Sequence, residues 1–509
     1  MQEKSGTLRM DLLPGIVALL ATGTFLATFL WRCGAPGFPL DDAWIHQTYA
    51  RNLALLGEFS FVPGRPSAGS TAPLWTLLLA PGYRLSLMPF VWTWMLGAFS
   101  LVGAGVAAAT LARALFPEER TPPLLAALVV AGEWHLVWGA ASGMETTLFA
   151  AGVLALLAVA VRWGDKPPTP AHAFWGGVGV GLLALVRPEG VLLAGMLGLA
   201  LLISLWRQRR SPAGRGALMG LGALLILTPY VLLNLRLSNT PFPNTFYAKQ
   251  QEYSILYTLP ILRRFLRLWP PLLAGTLVML LPALPWALPN PRRSAQHWLP
   301  LVWVAGTWIL YAWRLPVTYQ HGRYLIPIIP PLLVYGAGGL HRLWREATAR
   351  WAWVLTRAWA ASTALVIVSF LWIGANAFAA DVAIINGEMV DVAHWVDANT
   401  PSDALVAAHD IGALGYFTQR PLLDLAGLVS PEVIPFIRDE ARLMAWMQRQ
   451  DAEYLVTFPS WYPEIVTDPR LERVYQTDTE ITRRLGQDNM AVYRFRRDHE
   501  SLIMPVLIR

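Results

Sequence analysis

Apolar residues run along this chain in blocks of about 20, the length a helix needs to cross the hydrocarbon layer of a bilayer. The first block is Leu12 to Trp31, and others follow at Phe90–Leu111, Pro122–Ala140, Thr146–Val161, Phe174–Val186, Val191–Trp206 and Leu218–Leu235. The series continues with Trp269–Leu288, Leu299–Trp313, Tyr324–Leu340 and Ala358–Phe378. Together these blocks predict about 11 crossings. Ala72 to Pro89 is apolar too, but Pro81-Gly82 breaks it and Arg84 lies within it. It is read as either a short crossing or a re-entrant or interfacial piece.

Two stretches depart from this pattern. Gly34 to Trp75 opens on Pro and Gly and presents adjacent carboxylates, Asp41 and Asp42. Trp44, Gln47, Arg51 and Leu55 then recur at helical spacing, which predicts an amphipathic helix over Ala43 to Leu56. After Ala380 the composition turns mixed and charged. Ala404–Ala408, Tyr454–Phe458 and Met490–Phe495 read as strands, and Glu388–Ala398 and Pro431–Gln450 as helices. The expected fold is therefore a polytopic α-helical membrane protein with an amphipathic first outer loop and a C-terminal soluble α/β domain. The domains divide into residues 1–380 and 381–509.

Loop charge orients the chain. Lys4 and Arg9 precede the first span, and basic clusters follow at Arg113, Arg207 to Arg210, Arg292-Arg293 and Arg342 to Arg350. Such clusters mark cytoplasmic loops. This arrangement puts the N-terminus inside, if Ala72 to Pro89 does not cross, and the C-terminal domain outside. The first apolar run shows no small-residue cleavage site and is read as a retained helix.

Composition agrees. The chain is 55% hydrophobic and 14% charged over 509 residues, with net charge +7. Because the basic residues sit between apolar spans, the positive charge does not argue for nucleic acid. The single cysteine, Cys33, excludes an internal disulfide and a thiolate-rich metal site. The nine His lack ligand spacing, and no Gly-rich nucleotide loop or nucleophile elbow is present.

Polar residues that interrupt the apolar pattern gather on the predicted outer side. Asp41 and Asp42 are candidates for a general base toward an incoming hydroxyl; as Asp residues at a helix start they also suit capping. Glu145 follows Ser142-Gly143-Met144, where a carboxylate also suits a helix N-terminus. Arg187 and Glu189 add charge to a turn that needs only Pro and Gly. Lys249 and Arg323 are candidates to hold a phosphate, Arg323 through its fork of donors. Arg51 lies on the same helix as the acids, and Asn244, Tyr247 and His321 flank the two bases. Acids and phosphate-binding cations beside lipid suit group transfer from a lipid phosphate. They also suit a secondary transporter or a lipid-linked-glycan translocator, whose marks would be charges deep in the bundle and inverted repeats. Neither is found.

These same residues fall in motifs with a family likeness. Asp41-Asp42-Ala43-Trp44, Ser70-Thr71-Ala72-Pro73-Leu74-Trp75, Ser142-Gly143-Met144-Glu145-Thr146, Arg187-Pro188-Glu189-Gly190, Pro243-Asn244-Thr245-Phe246-Tyr247-Ala248-Lys249 and Arg323-Tyr324-Leu325 occur in this order. The chain thereby resembles the GT-C superfamily of polyprenyl-phosphate-sugar-dependent glycosyltransferases, in particular bacterial cell-wall terminal arabinofuranosyltransferases. Trp44 stands where that family commonly has Tyr. The resemblance implies inverting transfer of a sugar to a hydroxyl acceptor at the extracytoplasmic face of the cell membrane. It implies Asp41 as the base, with Asp42 as the other candidate. Arg187, Lys249 and Arg323 would hold the donor phosphate, while a groove between helices and Ala72 to Pro89 would take the prenyl tail. No cofactor is required, although Glu145 and Glu189 leave room for a divalent cation.

Overall fold

The computed structural model describes residues 2–209, 211–289 and 295–496, with backbone only for residues 2–11. The expected cationic sites at Lys4, Arg9, Arg210 and Arg292-Arg293, and residues 497–509 of the C-terminal domain, lie outside the described side chains.

Among the described residues, seven helices are long and apolar enough to cross a membrane, and nine spans result when each of two bent pairs counts as one. Two further expected crossings form helices of 17 and 16 residues, Pro170–Val186 and Leu299–Arg314. These lie at or below the ~17-residue minimum for a span. Ala72 to Pro89 does not form a span: its helix, Pro73–Arg84, has 12 residues.

The expected continuous spans over Pro122–Ala140 and Trp269–Leu288 are both broken. Thr121–Ala131 bends by 52° into Trp134–Ala141, and Ile261–Leu273 bends by 103° into Leu277–Ala287. The two breaks satisfy each other. Glu133 pairs with His135 Nδ1 at 2.7 Å and accepts the Thr276 backbone N–H at 3.2 Å, while His135 Nε2 lies 2.9 Å from the Pro271 carbonyl. Backbone freed at a break within the membrane needs such partners, because no water is there to supply them.

The helix Asp41–Leu56 is buried along most of its length, more than a surface-lying amphipathic helix would be. Its two acids occupy the first turn, where the helix dipole favours them. Gly57 closes it in the left-handed region, φ +73°, its N–H bonded to the Asn52 and Leu53 carbonyls. Of the predicted stripe, Trp44 and Gln47 face inward, Arg51 is half-buried and Leu55 is exposed. Trp44 packs against Phe38, Phe90, Tyr416 and Phe417 at ring separations of 4.8–5.6 Å. Gln47 bonds Thr93 at 2.8 Å and Tyr83 at 2.7 Å. The helix is covered because the C-terminal domain lies over it.

That domain follows the last membrane helix without a linker. Arg350–Ile385 runs through one π-helical turn, Asn386–Val390, into the helix Asp391–Asn399. Within this turn the buried Glu388 carboxylate accepts from Thr482, Asn489 and the Met490 N–H at 2.6–2.8 Å, and from Thr477. The five-stranded sheet has the order Leu422–Asp424, Val406–Ala408, Tyr454–Thr457, Ala491–Phe495, Leu471–Gln476. The first three strands are parallel and the last two pairings antiparallel. Period-two alternation gives the sheet two buried faces. Ala407, Leu455 and Tyr493 pack with Leu443 and Met447 of the helix Glu440–Arg449. Val406, Ala408, Val456 and Val492 join the core shared with the membrane helices.

Candidate active site

The stretches expected on the outer side meet at a cavity of about 470 Å³. The helix Asp41–Leu56 contributes Asp42, Ile45 and His46; the loop before the helix Pro73–Arg84 contributes Gly69, Ser70 and Thr71. Glu145, Arg187, Glu189, Lys249, Arg323 and Tyr324 complete its polar wall. Leu192, Phe242, Phe246, Leu310, Trp313 and Leu315 line an apolar side. The helix Pro73–Arg84, expected to help hold a prenyl tail, is not among the lining residues.

Asp42 is the centre of one charged group. Its Oδ2 lies 2.5 Å from Arg323 Nη2 and 3.8 Å from Lys249 Nζ. Burial opposes its ionisation, but the Arg323 and Lys249 charges outweigh it and hold the carboxyl well below the usual range. Lys249 and Arg323 also reach the Tyr324 hydroxyl at 3.2 and 3.0 Å. Arg323 is only 4% exposed, yet its Nε and Nη1 have no hydrogen-bond partner. Two buried N–H groups of a guanidinium left unmatched are costly and suit an anion in the cavity.

A second group lies around Arg187. Its Nη2 donates to Glu189 at 2.9 Å and to Tyr311 at 3.2 Å, and Nη1 sits 3.5 Å from Glu145. Glu145 lies 3.4 Å from His46 Nε2. Burial would raise the Glu145 pKa, but the His46 contact and the Arg187 charge leave it below the ordinary value.

Asp41 has different surroundings. Its two oxygens accept the backbone N–H groups of Gly412 and Ala413 at 2.6 and 2.8 Å. It is directed to the C-terminal domain and is not among the residues lining the cavity. Burial and the neighbouring Asp410 charge outweigh these two bonds and push its pKa up to about 8.

Four other expected substrate contacts lie off the cavity. Arg51 donates to the Tyr416 and Gly415 carbonyls at 2.6 and 3.3 Å, closing the C-terminal end of the short helix Gly412–Phe417. Asn244 ties its loop to the Leu428 carbonyl at 3.1 Å and to Ala68 through its N–H at 2.8 Å. Tyr247 packs edge-on to Phe246, and it is Phe246 that faces the cavity. His321 pairs with Asp381 at 2.8 Å between the rings of Trp134 and Trp138. Left-handed backbone at Gln320, His321 and Gly322, φ 54–68°, accompanies this separation of His321 from Arg323.

His46, Tyr311 and Tyr324 were not anticipated as site residues. His46 had a signal: it is four residues after Asp42, on the same helical face. Tyr311 had none, since it sits within an apolar run. Glu145 and Glu189, considered for a divalent cation, close instead on the fixed charge of Arg187. Among the described residues no three His, Cys, Asp or Glu gather into a metal site.

Solved structures share this architecture. ArnT from Cupriavidus metallidurans bound to undecaprenyl phosphate superposes with TM-score 0.54 at 15% identity, covering 96% of this chain and 99% of that one. The chain has the GT-C fold. The oligosaccharyltransferase AglB from Archaeoglobus fulgidus, in complex with an inhibitory peptide and a dolichol-phosphate, matches with TM-score 0.55 and 13% identity over 87% of this chain and 69% of that one. The mycobacterial arabinofuranosyltransferase AftD matches with TM-score 0.53 and 18% identity over 95% of this chain but only 40% of its own length. A family model described as a domain of unknown function (DUF8728) matches residues 347–493, the last membrane helix and the domain that follows. A search of curated proteins finds no match. The apolar spans among the described residues make this a multi-pass membrane protein, and the extent of the ArnT match brings the C-terminal domain within the shared architecture.

Proposed function

We propose that this protein transfers a sugar from a polyprenyl-phosphate donor to a hydroxyl acceptor, with inversion, at the extracytoplasmic face of the membrane. The observation that carries the reading is Arg323: buried, facing the cavity, with two N–H groups unmatched beside Asp42 and Lys249. Undecaprenyl phosphate and dolichol-phosphate in two proteins of the same fold support it, and favour it over a transporter.

The donor phosphate takes its place against Arg323 and Lys249, with the prenyl chain along the apolar side of the cavity. Asp42 serves as the base, because of the two aspartates it is the one lining the cavity. Its partners, Arg323 and Lys249, are the cations that the phosphate recruits. Sharing those cations raises the basicity of Asp42 as the donor binds. The acceptor O–H proton then passes to Asp42 as the new bond from oxygen to the anomeric carbon forms. The bond from that carbon to the phosphate oxygen breaks, and its electron pair leaves on the phosphate, where Arg323 and Lys249 stabilise it. A single displacement inverts the anomeric centre.

Residues 1–380 form the transferase unit and residues 381–509 an extracytoplasmic domain that caps it. The N-terminus is cytoplasmic by the loop-charge pattern. Residues lining the cavity supply the phosphate-binding charge, so no cofactor enters the scheme.

The full chain, reconstituted in lipid with undecaprenyl-phosphate sugars and acceptor glycans, tests the reading. Release of undecaprenyl phosphate with formation of an inverted glycoside is expected. Absence of a single sugar from envelope glycans of cells lacking the protein would identify donor and acceptor. Unchanged glycans, together with no binding of undecaprenyl phosphate, would refute it.

A further inference from the structure

The Arg187 group is not needed to hold a phosphate, and its unmatched atoms ask for something else. Arg187, Lys249 and Arg323 all lie 4.9–5.9 Å from the centre of the Tyr324 ring. Asp42, Lys249 and Arg323 form one group, with net positive charge and unmatched N–H donors. In the other group, the single charge of Arg187 is shared by two carboxylates, Glu145 and Glu189. His46 is 4% exposed and Glu145 5%, and both line the cavity. Glu145 Oε2 is met only by His46 Nε2, at 3.4 Å, and His46 Nδ1 has no partner. With Nε2 carrying the proton toward Glu145, Nδ1 is a bare acceptor. A bare acceptor on His46 therefore lies beside a carboxylate oxygen whose one contact is the long one to His46.

We infer that His46 and Glu145, with Glu189 and Arg187 behind them, form the subsite that reads the hydroxyl groups of the donor sugar. The inference rests on the cavity being the polyprenyl-phosphate-sugar site proposed above. The sugar is neutral and polyhydroxylated. Its hydroxyls donate to Nδ1 of His46 and Oε2 of Glu145, both on cavity-lining residues and both without a full hydrogen bond among the described residues. A uronate is refused, because its carboxylate would meet Glu145 and Glu189 with only Arg187 to offset them. A site built to accept hydroxyl donors discriminates strongly against ligands that lack them.

The test compares binding of undecaprenyl phosphate alone with undecaprenyl phosphate carrying glucose, mannose, arabinofuranose or glucuronate. It uses the full chain in nanodiscs, as wild type, His46→Ala and Glu145→Gln. In the wild type, at least one neutral sugar is expected to tighten binding about 10-fold over the bare lipid phosphate, the scale of one or two buried hydrogen bonds. Glucuronate should add nothing. Both variants should bind the bare lipid phosphate like the wild type and lose the sugar increment. An increment that survives both substitutions, or a wild type that binds glucuronate as well as the neutral sugars, overturns the subsite. So does a wild type that binds bare lipid phosphate and gains from no neutral sugar. Failure of the wild type to bind undecaprenyl phosphate in any form removes the underlying reading as well.

Discussion

Asp42 and Arg323 meet at 2.5 Å on the wall of the cavity, a carboxylate set against a guanidinium that keeps two further N–H groups unspent. The pair joins the first polar stretch of the chain to a turn 281 residues later. It places a proton acceptor and an anion receptor at one point. Asp42→Asn keeps the shape and removes the basicity. Turnover should fall by about 100-fold or more, the usual scale for a lost general base. Binding of undecaprenyl phosphate should be retained or tightened, since Lys249 and Arg323 lose a competing anion. Kinetics and lipid binding on the same preparation check both halves.

The charges around Asp42 also set a pH expectation. Its carboxyl is held below the ordinary carboxylate range, so the free protein keeps it ionised as pH falls. The rate kcat/KM should therefore show no acid limb from Asp42 between about pH 8 and pH 5. The stability this ion pair contributes is present above the usual carboxylate pKa and lost only as pH falls through the depressed one. A pH–rate profile with a limb near pH 6 that vanishes in Asp42→Asn would contradict the assignment.

Arg323→Lys keeps the charge but loses the fork. A lysine cannot present the Nε and Nη1 donors together. Affinity for undecaprenyl phosphate should drop about 10-fold or more, by the scale of lost charge-assisted hydrogen bonds. Calorimetry in nanodiscs reads this directly.

The helix Gly412–Phe417 is gripped at both ends, by Asp41 on its N–H groups and by Arg51 on its carbonyls. A Cβ on Gly412 would come within 2.1 Å of the Asp41 carbonyl oxygen. Gly412→Ala must therefore push the domain off the helix that carries Asp42. Asp41→Ala leaves two buried N–H groups unmet, at a cost of about 1–3 kcal/mol each. Faster hydrogen exchange across residues 412–417 and reduced turnover are expected for both, with lipid-phosphate binding retained. Asp41→Ala with normal exchange but abolished turnover would instead make Asp41 the base.

His409 links the domain to the helix Asn244–Glu252. It lies 3.5 Å from Glu252 and 3.4 Å from Asp410. Burial would lower its pKa, but the hydrogen bonds and charges of Asp410 and Glu252 outweigh it and push it up to about 10. A raised histidine pKa stabilises the folded state fully below the unfolded value of about 6.5 and loses that contribution as pH rises toward 10. The melting temperature of the wild type should exceed that of His409→Gln at pH 6, and the gap should close by pH 10.

The periodicity of apolar residues by itself determined that this is a helical membrane protein, and the composition change after Ala380 announced the domain that follows. Both are averages over many residues, and burial in lipid or in a core needs only such averages. Motif order pointed to stretches that the structure brings to one cavity, and charged residues at the ends of apolar runs are rarely there without a partner. The strands Leu422–Asp424 and Leu471–Gln476 escaped notice, the first for its shortness and the second for its charged composition. Which of two adjacent aspartates faces the cavity, and that Arg51 and His321 face elsewhere, only the tertiary structure decided. Neighbours on a helix differ by about 100° in direction, and what each direction meets is supplied by segments hundreds of residues away. No local pattern encodes that Gly412 and Ala413 present their N–H groups to one carboxylate while Arg323 awaits the other.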